Sequence, residues 1–278
     1  MHIVDLRSSF KNVRGEQIVL FIQKKKPNND HVIEIKVESN ESSESVYIEQ
    51  NRFLKGNKIH VFERNEDYLL INDLSNQGLP LKKLVNDQIF RGISLPSKYV
   101  KKLNTNNSGK VLPYIRGKNI QKFSMTPELG VDKNDLSMLN NEKINDLLKP
   151  KLVVQNIFSS ESGIIGDFDQ KGILTNETVT NIIVENYNLA IYLLALLNSK
   201  IANYFLIYGC FNCSKMTMHT DKQYIGSIPV IIPQNNALLN QIVELVNSIK
   251  KDTNKNRIKD LQRKIDQIFY TQYKLNQN

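Results

Sequence analysis

The chain begins with strand-like patterning. Residues 32–38, Val-Ile-Glu-Ile-Lys-Val-Glu, alternate apolar and charged positions, which predicts a half-exposed strand. Residues 18–22, Ile-Val-Leu-Phe-Ile, are an unbroken apolar run between Gly15 and Lys24-Lys25-Lys26-Pro27. They predict a buried strand paired with another near residues 3–6. After a polar loop at 41–45, strand patterns continue at 46–48 and 58–62. Helical turns follow at 67–74 and 80–85.

Short strands and longer helices mix in the remainder. Residues 111–115 and 120–123 read as strands around a turn at Gly117. Leu136, Leu139, Ile144, Leu147 and Leu148 predict one helix over 134–148, stopped by Pro150. Strands are expected at 152–154, 164–168, 173–174 and 179–184, with Gly163, Gly166 and Gly172 between them. The strongest helix covers 188–206, with Leu189, Leu193, Leu194, Leu197, Ile201, Tyr204 and Phe205 on its apolar side and Gly209 as its stop. Residues 228–233 form a strand that Pro229 and Pro233 restrict to an edge. Amphipathic helices at 238–250 and 257–275, joined by a polar basic link, predict an antiparallel pair. The expected fold class is α+β: a mixed β-sheet domain with packed helices, followed by a C-terminal helical pair. Its expected parts are a β-rich connector (1–88), a mixed domain (89–235) and the helical pair (236–278).

Composition narrows the possibilities. A chain of 278 residues, 40% hydrophobic and 23% charged, suits a soluble globular protein. The longest helical apolar run, 189–197, is too short to span a membrane, and residues 1–5 lack the order of a signal peptide. Two cysteines make no disulfide framework, so a reducing, cytoplasmic setting is expected.

Charge is more informative. Residues 1–90 are balanced, whereas 91–235 carry a surplus of five positive charges and 236–278 a surplus of four. Between Asp87 and Glu128 there is no acidic residue and there are eight basic ones. Such a stretch attracts polyanions, of which nucleic acid is the commonest. The scarcity of aromatic clusters favours duplex DNA or folded RNA over single strands.

Three local patterns carry candidate chemistry. In Tyr114-Ile-Arg-Gly-Lys-Asn-Ile-Gln-Lys-Phe123, Gly117 permits positive φ, and Lys118 and Lys122 are placed to meet phosphate oxygens. An ordinary hairpin with solvated lysines explains the same letters. Cys210-x-x-Cys213, with His219 and Asp221, offers a zinc set on letters alone. Two packed thiols are the competing reading, and no metal is assigned. Glu34-Ile35-Lys36 is half of a metal-dependent nuclease pattern that needs a second carboxylate, with Asp5 and Asp30 as candidates. Alternating charge on an exposed strand accounts for it equally.

Several pieces, in order, resemble the TaqI-like specificity domain of restriction–modification DNA methyltransferases. They are Ile89-Phe-Arg-Gly-Ile93, Gly117-Lys-Asn-Ile120, Lys149-Pro-Lys-Leu-Val-Val154, the Asp167 to Thr175 turn and strand, Leu193-Leu-Ala-Leu-Leu-Asn-Ser-Lys200, Tyr224-Ile-Gly-Ser-Ile-Pro229 and Ile265-Asp-Gln-Ile-Phe-Tyr270-x-x-Tyr273. The resemblance covers 89–278. Residues 5–22 look like the last strands of such an enzyme's catalytic domain. The Asn-Pro-Pro-Tyr and Gly-rich methyl-donor motifs of an adenine methyltransferase are missing from this sequence.

The resemblance implies sequence-specific binding of duplex DNA, in a type II or type I-like system, with an adenine delivered to a methyltransferase domain or subunit and with a linked nuclease as a further partner. No catalytic residue is assigned, and no activity is expected from this chain alone. S-adenosylmethionine would belong to the missing catalytic domain. Charge and loop placement nominate Arg91, Arg116, Lys118 and Lys122 for phosphates. They nominate Lys215, His219 and Lys222 for base edges, with Ser159, Ser160 and Asn176 behind them. An assembly subunit with a merely solvated basic surface is the alternative, and a metal-dependent nuclease a third.

Overall fold

A computed structural model describes residues 2–7, 15–38, 43–54, 61, 64–103, 110–137, 142–214 and 216–275. The chain divides into two units, one of residues 1–76 with 207–216 and one of residues 77–206 with 217–278.

In the first unit, β1 (His2–Arg7), β2 (Gln17–Phe21), β3 (Val32–Glu38) and β4 (Ser43–Glu49) form a sheet in the order β2-β1-β3-β4. The β1–β3 pairing is parallel and the other two are antiparallel. The alternation in β3 works as its period dictates: Ile33 and Ile35 are buried, together with their cross-strand partners Ile48, Ile3 and Val46. Helices α1 (Asn51–Leu54) and α2 (Asn65–Ser75) lie against β4. One expectation fails here. Residues 18–22 do form a strand, but they are not buried: Phe21 is 56% and Ile22 73% exposed. β2 is an edge strand paired only with β1, and its apolar side chains stay largely exposed, Phe21 meeting the His2 ring at a centroid distance of 5.4 Å. The expected strand at 58–62 falls outside the described residues except for buried Val61.

The second unit runs β5 (Leu79–Pro80), α3 (Leu81–Leu84), β6 (Ile89–Arg91), β7 (Val100–Lys102), β8 (Val111–Ile115), β9 (Ile120–Gln121), β10 (Ser124–Met125), β11 (Leu129–Asp132), α4 (Lys133–Ser137) and α5 (Lys143–Leu147). It continues through β12 (Lys151–Gln155), β13 (Ile157–Phe158), β14 (Gly166–Asp169), β15 (Leu174–Thr175), β16 (Val179–Ile183), α6 (Tyr187–Leu197) and α7 (Lys200–Tyr204). After a π-helical stretch, Phe205–Cys210, come β17 (Met218–His219), α8 (Lys222–Ile225), β18 (Pro229–Val230), α9 (Asn236–Lys251) and α10 (Lys255–Gln272). Two four-stranded sheets dominate, in the orders β15-β8-β11-β7 and β14-β12-β16-β6. They share a core in which Ile115 of β8 packs with Val153 of β12 and Val179 of β16. The architecture is α+β, as the patterning predicts.

The expected helix over 188–206 is broken. Asn186 caps α6 at the Leu189 amide (2.9 Å), and residues 190–197 are all buried. At Asn198 the side chain turns away to clasp both backbone groups of Gly166 (3.2 and 3.1 Å), and Ser199 becomes the N-cap of α7. Gly209 therefore lies inside the π-helical stretch instead of ending an α-helix. The helix expected over 134–148 is two short ones, α4 and α5, with 138–141 outside the described residues.

The C-terminal pair is integral to this unit. α9 packs on α6, and α10 packs on α9 and α7. Ile265, Phe269 and Tyr273, four residues apart, are buried on one face of the chain's end. Asp266 accepts the Lys200 backbone N–H (2.8 Å) at the start of α7, and Tyr273 donates to the Pro229 carbonyl (2.5 Å).

The centre of the unit is a buried ion pair. Lys151 and Asp169 occupy opposed positions on β12 and β14, and both side chains are fully buried. Lys151 Nζ also donates to the Leu147 carbonyl (2.6 Å). Asp169 accepts the backbone N–H groups of Lys171 (2.8 Å), Gly172 (3.1 Å) and Ile173 (2.6 Å). That turn requires glycine, because Gly172 has a φ of 76° and a Cβ there would fall 2.4 Å from the Leu148 carbonyl oxygen. Burial pushes the Lys151 pKa down and Asp169 opposes the shift. Lys151→Met would leave an uncompensated carboxylate in the core. It is expected to lower unfolding free energy by about 3–5 kcal/mol in a urea titration.

Candidate nucleic-acid interface

Two groups of exposed cations lie close together along β16. The first sits on the turn after β8. Arg116 is the N-cap of a 3₁₀ turn, Gly117–Asn119, and its backbone N–H donates to Asn119 Oδ1 (2.9 Å). Gly117 N–H donates to Thr178 Oγ1 (2.9 Å). The turn thus holds Arg116 and Lys118, both exposed, at a fixed position against the residue preceding β16. The expected role of Gly117 needs correcting. Its φ is not positive, and glycine is needed because a Cβ would fall 2.9 Å from the Thr178 carbonyl oxygen. Nor is this a hairpin: β8 pairs with β11 and β15, and β9 pairs with β10.

The second group lies two residues further on, where Thr180 of β16 pairs with Arg91 at the end of β6. Arg91 grips Asp221 with two bonds, Nε to Oδ1 (2.6 Å) and Nη2 to Oδ2 (3.0 Å). Asn156, 2% exposed, donates to Asp221 Oδ1 (3.2 Å) and to Thr180 Oγ1 (3.1 Å), and its Oδ1 lies 3.0 Å from His219 Nδ1. Lys222 pairs with Asp87 at 3.1 Å. These residues border an open cleft of about 560 Å³, lined by Lys82, Asp87, Phe90, Arg91, Thr180, Asp221, Lys222 and Gln223.

The structure brings Arg91, His219 and Lys222 into one cluster and Arg116 with Lys118 into a neighbouring one. The other nominees differ. Lys122 is half-buried; burial lowers its pKa and the Asp266 charge of α10 opposes the shift. Asn176 is 8% exposed and acts as a turn former: it donates to Tyr114 Oη (2.8 Å) and accepts from Thr178 N–H (3.1 Å). Ser159 and Ser160 are exposed after β13, and Ser159 is bound to Ser162 at 3.3 Å. Lys215 lies outside the described residues. Asp221 and Asn156 organise the second group; the sequence offers Asp221 only as a zinc-ligand candidate and gives no signal for Asn156.

The sites weighed for other chemistry do not assemble. Glu34 and its register partner His2 lie on one face of the first unit's sheet, Glu34 accepting from Ser45 Oγ (2.7 Å) and lying 2.9 Å from His2 Nδ1. Asp5 lies on the opposite, buried face with Ile3 and Ile35. The two carboxylates therefore do not converge on one ion. Among the described residues, no group of three or more His, Cys, Asp or Glu side chains could hold a metal. The described glycines with positive φ, at 15, 78, 163 and 172, each lead into a strand. Among the described residues, no single helix is long and apolar enough to cross a membrane.

Asp221 gives this region a pH signature. Its pKa is held below the ordinary 3.8, first by the hydrogen bond from Arg91. A carboxylate depressed in the folded state stabilises that state above the ordinary value. The contribution is lost as pH falls through the lower folded value. Asp221→Asn should show a shallower loss of stability than wild type between about pH 5 and about pH 2, read by denaturant titration.

Residues 112–230 match the family described as TaqI-like C-terminal specificity domain. No curated protein matches the chain. Among solved structures, the chain is similar to the Type IIL restriction-modification enzyme MmeI in complex with DNA, at 11% identity and a TM-score of 0.53, over 100% of this chain and 43% of that one. It also matches the type IIG restriction endonuclease BpuSI, at 10% identity and a TM-score of 0.42, over 100% of this chain and 44% of that one. A third match is the HsdS subunit from Thermoanaerobacter tengcongensis, at 16% identity and a TM-score of 0.32, over 74% of this chain and 50% of that one. The chain thus spans less than half the length of the first two. The MmeI likeness shows a shared fold, and residues 112–230, from β8 to β18, match the TaqI-like C-terminal specificity domain.

Proposed function

We propose that this chain is the DNA-recognition part of a restriction–modification adenine methyltransferase, and that it grips duplex DNA so that a separate catalytic domain or subunit can act. The observation that carries the reading is the Arg116-Gly117-Lys118 turn inside the specificity domain. Backbone hydrogen bonds hold it, and both its cations remain exposed. Lys118 pairs across the surface with Glu128 at 3.4 Å, an interaction weak enough for a phosphate to displace. S-adenosylmethionine belongs, on this reading, to the catalytic partner, and a nuclease linked to that partner would share the same recognition. The setting is the cytoplasm.

The chief alternative is an assembly subunit. It is favoured by β2 and the residue after it, where exposed Leu20, Phe21 and Ile22 make an apolar edge of the kind that other proteins cover. The two readings combine if that edge meets the methyltransferase, but they separate in a DNA-binding assay. Under the recognition reading, duplex affinity falls linearly on a log–log plot against salt. Arg116→Glu with Lys118→Glu should weaken binding to all sequences alike and lower the salt slope by about one unit for each phosphate that is no longer neutralised. Failure of the wild-type chain to bind any duplex in a gel shift would leave the assembly reading in possession.

A further inference from the structure

Charge alone groups Arg91 with the phosphate-binding cations. The geometry points to a different role: we propose that Arg91 reads a guanine in the major groove and that Asp221 is the positioning residue that aims it. This rests on the duplex-DNA reading above and deepens it.

A guanidinium has five N–H donors in a planar fork. In Arg91 the Nε–H and one Nη2–H are taken by the two oxygens of Asp221. The outer edge, formed by Nη1 and the second Nη2–H, has no acceptor among the described residues. That edge is a flat pair of parallel donors, matching the O6 and N7 acceptors of guanine. Its direction is fixed from behind. Asp221 is itself held by Asn156, and Asn156 is locked by Thr180 Oγ1. Arg91 thus stays exposed at the cleft while losing little freedom when it engages a partner.

The surroundings decide between a phosphate and a base. Each carboxylate lining the cleft is already paired, Asp221 with Arg91 and Asp87 with Lys222. An entering phosphate would face both carboxylates and gain mainly from Lys82. A neutral base edge meets no such repulsion and still collects both donors. The Arg116 and Lys118 turn is the better phosphate site: Lys118 meets Glu128 only across the open surface, at 3.4 Å, and Arg116 is exposed. The neighbouring groups along β16 then divide the work: one positions the duplex and the other reads it.

The test is selection of target sequences from randomised duplexes by the full chain, together with salt titrations. Arg91→Lys keeps the charge but not the fork. It should leave the salt slope unchanged and reduce preference for guanine at one target position by about 5- to 150-fold, the discrimination of one bidentate pair. Asp221→Asn should relax the same position and no other, whereas Arg116→Glu with Lys118→Glu should leave the preference intact. Arg91→Lys with unaltered base preference overturns the proposal. So does an Arg91→Ala variant that binds all sequences more weakly with a reduced salt slope, because that marks a phosphate contact. A wild type that binds duplex DNA without any guanine preference sinks the inference but not the DNA-binding reading. Absence of all duplex binding sinks both.

Discussion

The second unit depends on the buried pair of Lys151 and Asp169. Both charges are fully out of water, and an isolated one would be prohibitively costly there. They are stable only because the Asp169 carboxylate collects three backbone N–H groups as well as the ammonium. Those N–H groups turn the chain into β15, which pairs with β8, and the end of β8 carries Arg116 and Lys118. Lys151 lies on β12, whose other neighbour is β16, and β16 pairs with β6 and so places Arg91. One ion pair therefore orders both cation groups through two different sheets.

The remaining contacts stiffen this arrangement. Thr178 receives Gly117 N–H on its hydroxyl and Asn156 N–H on its carbonyl, so the residue before β16 joins the Arg116–Lys118 turn to the residue that braces Asp221. From the far side, Lys250 of α9 pairs with Asp167 of β14, and Asp266 of α10 caps α7. The helical pair thus supports the sheet that carries the site. Lys122, a member of the basic stretch by sequence, is half-buried, and the Asp266 charge works against the lowering of its pKa by burial.

Much of the scaffold is legible in the sequence because it depends on local rules. Alternation locates β3, and apolar spacing at four residues locates α6 and the C-terminal helices. Features set by contacts distant in the chain are not legible. The apolar run at 18–22 spells a strand correctly but cannot reveal an edge position, since pairing order is not local. Residues 188–206 read as one helix, and only the contact of Asn198 with Gly166 shows why it breaks there. In the site, Arg91, His219 and Lys222 follow from charge and loop placement. Asp221 stands out only as a zinc-ligand candidate beside His219, because the partner it organises, Arg91, is 130 positions away. An aspartate just before a helix also looks like a capping residue, although its side chain makes no cap bond. Asn176 carries a usable signal, since Asn two residues before Thr178 spells a side-chain turn.

The central claim is that this scaffold presents both cation groups to a single double helix. Tethered crosslinking tests it most directly. A duplex carrying a thiol on one backbone phosphate at a time is scanned against chains with a single cysteine, at position 118 or at position 222, and with Cys210 and Cys213 changed to serine. The account predicts that both cysteines capture the same duplex, at positions no more than about one helical turn, 10 base pairs, apart. Capture at only one of the two positions, or at sites several turns apart, would contradict it.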